Sequence, residues 1–401
     1  MVNVPRRVLP VIVFSQFSGT SLWFAANAVM PDLQAAWGLP ASAVGTLTSA
    51  VQAGFVCGTL AFALLMVADR FAPTRVFLTC AVAGAAANAA VVMVHGQWEL
   101  LLVLRFAVGF LLAGIYPVGM RIAASWYREG LGAAMGVLIG ALVLGTALPH
   151  GVRALGGATA PLPWQAVLLG VSLLAVLGGV ATACLVPESP RQPAGQRITP
   201  RGLAVIWTDP RVRASVFGYF GHMWELYTLY VLVPLILATR LAAHAISAAA
   251  FWVIAGGLAG CVAGGLLVRR FGSARVAATQ LAISGACGLA APLLLDAPLP
   301  VFIAWLLVWG ITAAGDSPQF STLTARNTPP AMVGSVLTFA NCIGFAITVV
   351  SIELFVRGAQ SMPLGELLPW LALGPALGLW LLQPLWRDAR QPLTALEARS
   401  P

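Results

Sequence analysis

Asp69-Arg70-Phe71-Ala72-Pro73-Thr74-Arg75-Val76 is a short charged turn between two long apolar runs, and it has an echo. Two hundred positions on, the chain reads Arg269-Arg270-Phe271-Gly272-Ser273-Ala274-Arg275-Val276, again between apolar runs and with Arg-Phe and Arg-Val at the same spacing. A repeat over that distance implies a duplicated architecture, which constrains the fold more than any local pattern does.

Composition decides the environment. Of 401 residues, 59% are hydrophobic and 9% charged, against about 25% charged in a typical soluble domain. There is too little polar surface to clothe soluble cores, so the chain is an integral membrane protein. All 22 basic residues are arginines. Without a lysine, a Walker-type phosphate loop and a Schiff base are both excluded, so neither an internal ATPase nor a retinal pump fits. The net charge of +9 is not a nucleic-acid footprint, because the arginines sit in short loops between apolar runs and report topology instead. Cys57, Cys80, Cys184, Cys261, Cys287 and Cys342 lie within apolar runs without metal-ligand spacing, and read as buried small apolar residues. No metal or cofactor is expected.

A bilayer crossing takes about 20 apolar residues as helix. Twelve segments meet that requirement: 8–32, 43–67, 75–95, 98–123, 130–153, 164–186, 212–237, 246–268, 275–295, 299–323, 331–356 and 366–386. The first is too long for a signal-peptide core and lacks a small-x-small cleavage site, so it is expected to remain as a helix. With the N-terminus inside, the inner loops hold Arg6, Arg7, Arg70, Arg75, Arg121, Arg128, Arg191, Arg197, Arg201, Arg211, Arg213, Arg269, Arg270, Arg275, Arg326, Arg387, Arg390 and Arg399. Only Arg153, Arg240 and Arg357 fall outside, so both termini are expected in the cytoplasm.

The stretch from Pro187 to about Arg211 carries proline and charge without apolar periodicity. It reads as a cytoplasmic linker, 187–211, between an N-terminal six-helix half, 1–186, and a C-terminal half, 212–401, that ends in a short cytoplasmic tail. Those halves match beyond the opening turn. Phe14, Phe17 and Pro31 recur as Phe217, Phe220 and Pro234; Ala113-Gly114 and Pro117 recur as Ala314-Gly315 and Pro318; Gly130, Ile139 and Gly140 recur as Gly334, Ile343 and Gly344. Six helices plus six in parallel orientation is a repeat found in secondary transporters, with the solute near mid-membrane where the halves meet.

These residues resemble the major facilitator superfamily along essentially the whole chain. Its signature between the second and third helices is G-x-x-x-D-R-x-G-R-R: Asp69 and Arg70 match it, Arg75 lies near its last basic position, and Leu65 and Ala72 stand where it has glycines. In the echo Gly265, Arg270 and Gly272 match, while Arg269 replaces the acid. Arg105 and Gly109 are similar to the family's fourth-helix signature. Gly136 and Gly145 fit its antiporter signature in the fifth helix, which then departs at Pro149-His150. The stretches Gly221–Tyr227 and Asp316–Ser321 look like a bacterial subgroup. The resemblance implies an all-α fold of twelve transmembrane helices in two parallel six-helix repeats. It also implies transport, with the first, fourth, seventh and tenth helices lining the path.

Charges inside the hydrocarbon layer cost about 2.5–3.5 kcal/mol each, so each marks a candidate site. Arg105, Glu225 and Asp316 lie well inside, and His222 precedes Glu225 by three positions on one helical face. Glu225 sits about 13 residues into its segment, roughly 20 Å from the start. A carboxyl at that depth can load and release a proton, or be locked by hydrogen bonds. Asp316 precedes Pro318, which favours a kink, and Gln319 follows one turn on. Arg105 does not titrate usefully; it can hold an anionic solute, act on a carboxyl, or bind carbonyls of another helix. Gln16, Thr20, Trp23 and Asn27, spaced four, three and four, form one polar stripe on the first helix. Tyr116, Trp224 and Tyr227 add aromatic surface for an organic solute or for packing.

The sequence therefore predicts a monomeric, multi-pass transporter of the inner membrane that moves a small organic solute by alternating access. Protons are its expected partner through Glu225 and Asp316, and nucleic acid is not one. An uncoupled facilitator of the same fold is the alternative. A membrane enzyme or receptor is disfavoured, since neither a Gly-x-Ser-x-Gly elbow nor a His-Glu-x-x-His pattern occurs. The turn at Asp69 to Val76 is expected to act as an inner-face latch rather than to touch solute.

Overall fold

The computed structural model describes residues 4–127, 131–157, 162–189 and 198–388. Arg128, Gly130, Arg191, Arg197, Arg390 and Arg399, and the C-terminal tail beyond 388, lie outside the described residues. Among those described, helices make twelve crossings. Helix α1 is assembled from Val8–Thr20, Ala25–Ala28 and Met30–Trp37. Then follow α2 (Ala43–Leu64), α3 (Pro73–Ala90), α4 (Trp98–Leu112 and Tyr116–Trp126), α5 (Leu131–Ala154) and α6 (Trp164–Leu185). The second set is α7 (Pro210–Ala238), α8 (Ala243–Phe271), α9 (Ser273–Leu289), α10 (Leu299–Gly315 and Ser317–Asn327), α11 (Val333–Gly358) and α12 (Leu373–Asp388). Ten of the twelve satisfy length and hydropathy as crossings on their own. The exceptions are α1, which is interrupted, and α9, whose 17 residues give way to a turn before Pro292.

The duplication reappears in the backbone. Helix α4 breaks at Ala113–Ile115 just before Pro117, and α10 breaks at Asp316 just before Pro318. A proline there lacks the amide needed by the carbonyl four residues back and its ring crowds that carbonyl, so each helix has to restart. Close approaches repeat as well. Gly109 abuts the Val51 carbonyl, as Gly310 abuts that of Val253; Gly58 abuts the Phe110 carbonyl, as Gly260 abuts that of Ile311. A Cβ at any of the four would collide with main chain, so α2 packs on α4 in the same way that α8 packs on α10.

The two sets meet along α5–α8 and α2–α11. At the end opposite the termini, Gly151 abuts the Phe251 ring and Gly45 the Val356 side chain. Midway, Gly140 abuts Leu258 and Gly257 packs on Val143. Toward the arginine-rich end the seam parts: one turn on along the same faces, Gly136 and Gly265 meet nothing.

Three expectations need correction. Residues 8–32 do not form one helix, since residues 21–24 are turn and Pro31 starts a new segment. The connection at 187–211 contains a helix, Pro200–Thr208, whose buried Gly202 and Ile206 are four apart; Gly202 packs on Ser335 of α11, and Ser335 Oγ accepts from the Thr199 amide at 3.2 Å. Its buried positions make a single i,i+4 pair within nine residues, too short a pattern to stand out as periodicity. Cys57 and Cys184 are exposed, whereas the other four cysteines are buried. The exposed pair lies on outward helix faces, where lipid replaces core as the apolar surroundings.

Candidate functional site

Residues 21–24 interrupt α1 and strand its main-chain carbonyls inside the protein. The Arg105 guanidinium, fully buried on α4, donates to the Leu22 carbonyl at 3.0 Å and the Trp23 carbonyl at 2.8 Å. Its other terminal nitrogen donates to Asn88 Oδ1 on α3 at 2.9 Å. Asn88 passes the link on, donating to the Leu168 carbonyl at 3.1 Å and Ser172 Oγ at 3.0 Å on α6. Four crossings thus share one buried cation. Both terminal nitrogens are committed to protein, and Nε is left without a partner.

Across that break the predicted stripe on α1 is buried throughout. Trp23 donates through Nε1 to Gln52 Oε1 at 3.1 Å, and Asn27 donates through Nδ2 to Thr48 Oγ1 at 2.6 Å, both on α2. Thr20 returns its hydroxyl to the Gln16 carbonyl at 2.7 Å. The Gln16 amide, Asn27 Oδ1, Gln52 Nε2 and the Tyr230 hydroxyl are buried without a partner, a costly state that a polar solute or water relieves.

Aromatic rings close the layer between the two sets of helices. Trp23 stacks on Tyr227 of α7 (5.6 Å between centroids, 22°) and on Phe345 of α11 (5.4 Å, 23°). Phe55 of α2 lies 4.4 Å from Phe345 and 6.3 Å from Tyr116 of α4. Trp224 has other partners: its Nε1 donates to the Trp370 carbonyl at 3.3 Å and its ring meets Phe355 of α11 edge-on at 5.9 Å.

The acids collect elsewhere, among α7, α9 and α10. Glu225 accepts from Trp309 Nε1 at 2.6 Å and from Ser284 Oγ at 2.8 Å, so each carboxyl oxygen has a donor. One turn away, His222 Nδ1 lies 2.7 Å from Oδ1 of Asp316, at the α10 break, and both residues are buried. A nitrogen and an oxygen that close can share a proton. Gln319 lies beside Gln280 against Gly264 of α8, apart from the aromatic layer.

At the arginine-rich end Asp69 forms an ion pair with Arg121, at the end of α4. The α2–α3 turn is thereby tied to α4. Arg70 and Arg75 are exposed. The backbone compensates for the absent glycines: Met66, next to Leu65, takes φ +51°, after which Val67–Arg70 forms a separate turn of helix. The echo is built differently, with α8 unbroken to Phe271, Arg270 stacked on the Phe271 ring at 5.3 Å, and Gly272 at φ +78°. Gly265 faces the open end of the α5–α8 seam.

Five residues of this arrangement were absent from the sequence-based set: Thr48, Gln52, Asn88, Ser284 and Trp309. Thr48, Gln52 and Thr59 fall on one face of α2 by the same spacing that marks the α1 stripe, so periodicity was able to reveal them. Asn88 stands out as a lone amide in the apolar run 75–95; nothing in the sequence singles out Ser284 or Trp309, which matter through a partner 59 and 84 positions away.

Twelve membrane-crossing helices in two sets, with broken crossings around buried polar groups, define a membrane transporter rather than an enzyme. The chain belongs to the Major Facilitator Superfamily, whose family model matches residues 12–351. Solved structures agree. The human organic anion transporter MFSD10 (TETRAN) superposes with a TM-score of 0.72 at 16% identity, over 94% of this chain and 99% of that one. A bacterial homologue of the human lysosomal transporter Spinster, in an inward-facing and unoccupied conformation, gives 0.69 at 15% identity, over 96% and 98%. Identities this low establish likeness of fold. No curated protein matches the chain.

Proposed function

We propose that the protein is a monomeric secondary active transporter of the bacterial inner membrane, moving a small organic solute by alternating access and coupled to protons. Both termini are cytoplasmic in this reading, and the halves, 1–186 and 212–401, rock about the linker at 187–211. The solute occupies the layer bounded by Gln16, Asn27, Gln52, Trp23 and Tyr227. Supporting the rocking motion, the α5–α8 seam is packed at Gly151 and open at Gly136 and Gly265.

One observation carries the coupling: the buried 2.7 Å contact between His222 and Asp316 at the α10 break, one turn from Glu225. A titratable pair at a helix discontinuity changes protonation where the backbone is able to move. A thermal-shift screen of metabolites identifies the solute, because a ligand stabilises the state it binds. In liposomes, Asp316→Asn is then expected to abolish solute-evoked proton flux and uphill accumulation while retaining exchange of solute at equal concentrations. Uphill accumulation at the wild-type rate in that variant would reject proton coupling through this pair.

A further inference from the structure

The helix Pro200–Thr208, in the connection between the two sets, is two-faced. At about 100° per residue, Gly202, Ile206, Leu203 and Trp207 fall within an arc of about 140°, and Arg201 and Thr208 lie across from the centre of that arc. Protein covers only half of the apolar arc. Gly202 and Ile206 are buried, Gly202 against Ser335 in the first turn of α11, whereas Leu203 (37% exposed) and Trp207 (51% exposed) are left uncovered. Arg201 and Thr208 are exposed on the polar side.

The uncovered half lies outside the bundle, at the level where the membrane begins. Trp207 meets the Phe217 ring of α7 edge-on at 5.1 Å and 81°. Phe217 is seven residues past Pro210, the start of α7, or about 10 Å along the helix at 1.5 Å per residue, so the indole reaches beyond the helix start instead of hanging below it. Two turns further along that face, Trp224 packs on Gly374 of α12 and meets Phe355 of α11. The face therefore runs between α11 and α12, while His222 on the same helix turns to Asp316 at the α10 break. Arg213 of α7 donates to the Trp207 carbonyl at 3.1 Å, which closes the end of the linker helix with a cation beside the indole.

We infer that the linker helix is an interfacial anchor that docks on the bilayer itself: Leu203 and Trp207 enter the boundary between headgroups and acyl chains at the arginine-rich end, and Arg201 and Thr208 stay in water. An amphipathic helix with arginine on its polar side and an uncovered tryptophan on the other suits that boundary. A second protein is a poorer occupant, since two uncovered side chains fall far short of the about 800 Å² a side that a standard protein interface buries. Trp207 packs on α7, and Ser335 of α11 holds both Gly202 and the Thr199 amide, so the anchor belongs to the second set of helices. That set is tied to one leaflet through it, whatever solute or ion the protein carries.

The test uses full-length protein carrying Cys57→Ser and Cys184→Ser, reconstituted in liposomes of phosphatidylethanolamine and phosphatidylglycerol, with a spin label on Leu203→Cys, Arg201→Cys or Thr208→Cys in turn. Power saturation compares access of oxygen, which concentrates in hydrocarbon, with access of a water-soluble nickel chelate. Oxygen is expected to gain on nickel at position 203, and nickel on oxygen at 201 and 208. Adding Trp207→Glu to the Leu203→Cys protein should erase that difference, while Trp207→Phe, which keeps a ring against Phe217, should preserve it. Unfolding midpoints in detergent show that both fold, and if Trp207→Glu does not, the contrast between positions 203 and 201 decides alone. Nickel access at 203 equal to that at 201 would overturn the inference. So would a label at 203 shut off from both reagents, the mark of a protein partner on this face.

Discussion

Arg105 on α4 and the Leu22 carbonyl on α1, 3.0 Å apart, join a buried cation to a broken helix. The same guanidinium also holds the Trp23 carbonyl and Asn88. Loss of the side chain leaves two carbonyls and one amide oxygen without their donor in the membrane interior, at about 1–3 kcal/mol each. Arg105→Ala is expected to lower the unfolding midpoint sharply, with Arg105→Lys recovering only part, because an ammonium does not reproduce the planar fork. Thermal unfolding in detergent decides it, and an unchanged midpoint in Arg105→Ala would show that the break holds itself.

Glu225 separates structure from chemistry. A glutamine in its place can still accept from Trp309 and donate to the Ser284 hydroxyl, so Glu225→Gln should unfold within about 1 kcal/mol of wild type. Glu225→Ala strands the Trp309 indole and opens a cavity, at about 2–5 kcal/mol. Paired measurements of thermal stability and solute-evoked proton flux read the two roles independently. A Glu225→Gln protein that folds and still couples would confine Glu225 to packing.

The ion pair between Asp69 and Arg121 ties the α2–α3 turn to α4. Asp69→Asn is expected to slow transport several-fold while solute affinity stays near wild type. Arg121→Gln should do the same, and the double variant no more than either alone, the pattern for partners in one interaction. Additive effects, or a large loss of affinity with unchanged turnover, would place the two residues in separate roles.

Met66 holds a left-handed backbone, φ +51°, that disfavours any side chain by about 1–2 kcal/mol. Met66→Gly should therefore raise the unfolding midpoint, offset in part by the extra freedom glycine gains in the unfolded chain. A lowered midpoint would mean that the methionine side chain contributes more by packing than its backbone costs.

Glycines offer a matched comparison. Gly109→Ala and Gly310→Ala push a methyl into the Val51 and Val253 carbonyls, and each should cut the yield of folded protein severely. Gly136→Ala and Gly265→Ala meet no atom in this conformation and should fold normally. If transport nevertheless fails in the latter pair, the parted end of the α5–α8 seam has to close during the cycle.

The repeat at Asp69 and Arg269 was enough to reveal twelve helices in two sets, because duplication and apolar length are properties of the chain itself. Pro117 and Pro318 foretold the breaks in α4 and α10 for a similar reason: a missing amide acts on its own helix. The break in α1 was not legible. Residues 21–24 look as apolar as their neighbours, and the turn persists because Arg105, more than 80 positions away, satisfies the carbonyls it exposes. The candidate site divides along the same line. Sequence located the buried acids, the histidine and the α1 stripe, since a polar group in an apolar run stands out. Only the tertiary structure decided that Glu225 faces Ser284 and Trp309, that His222 meets Asp316, that Trp224 donates to the Trp370 carbonyl, and that Arg105 is committed to Asn88 and two main-chain carbonyls. Polarity is written in each residue, but what satisfies it in the membrane is chosen among neighbours that only the packed helices bring within reach.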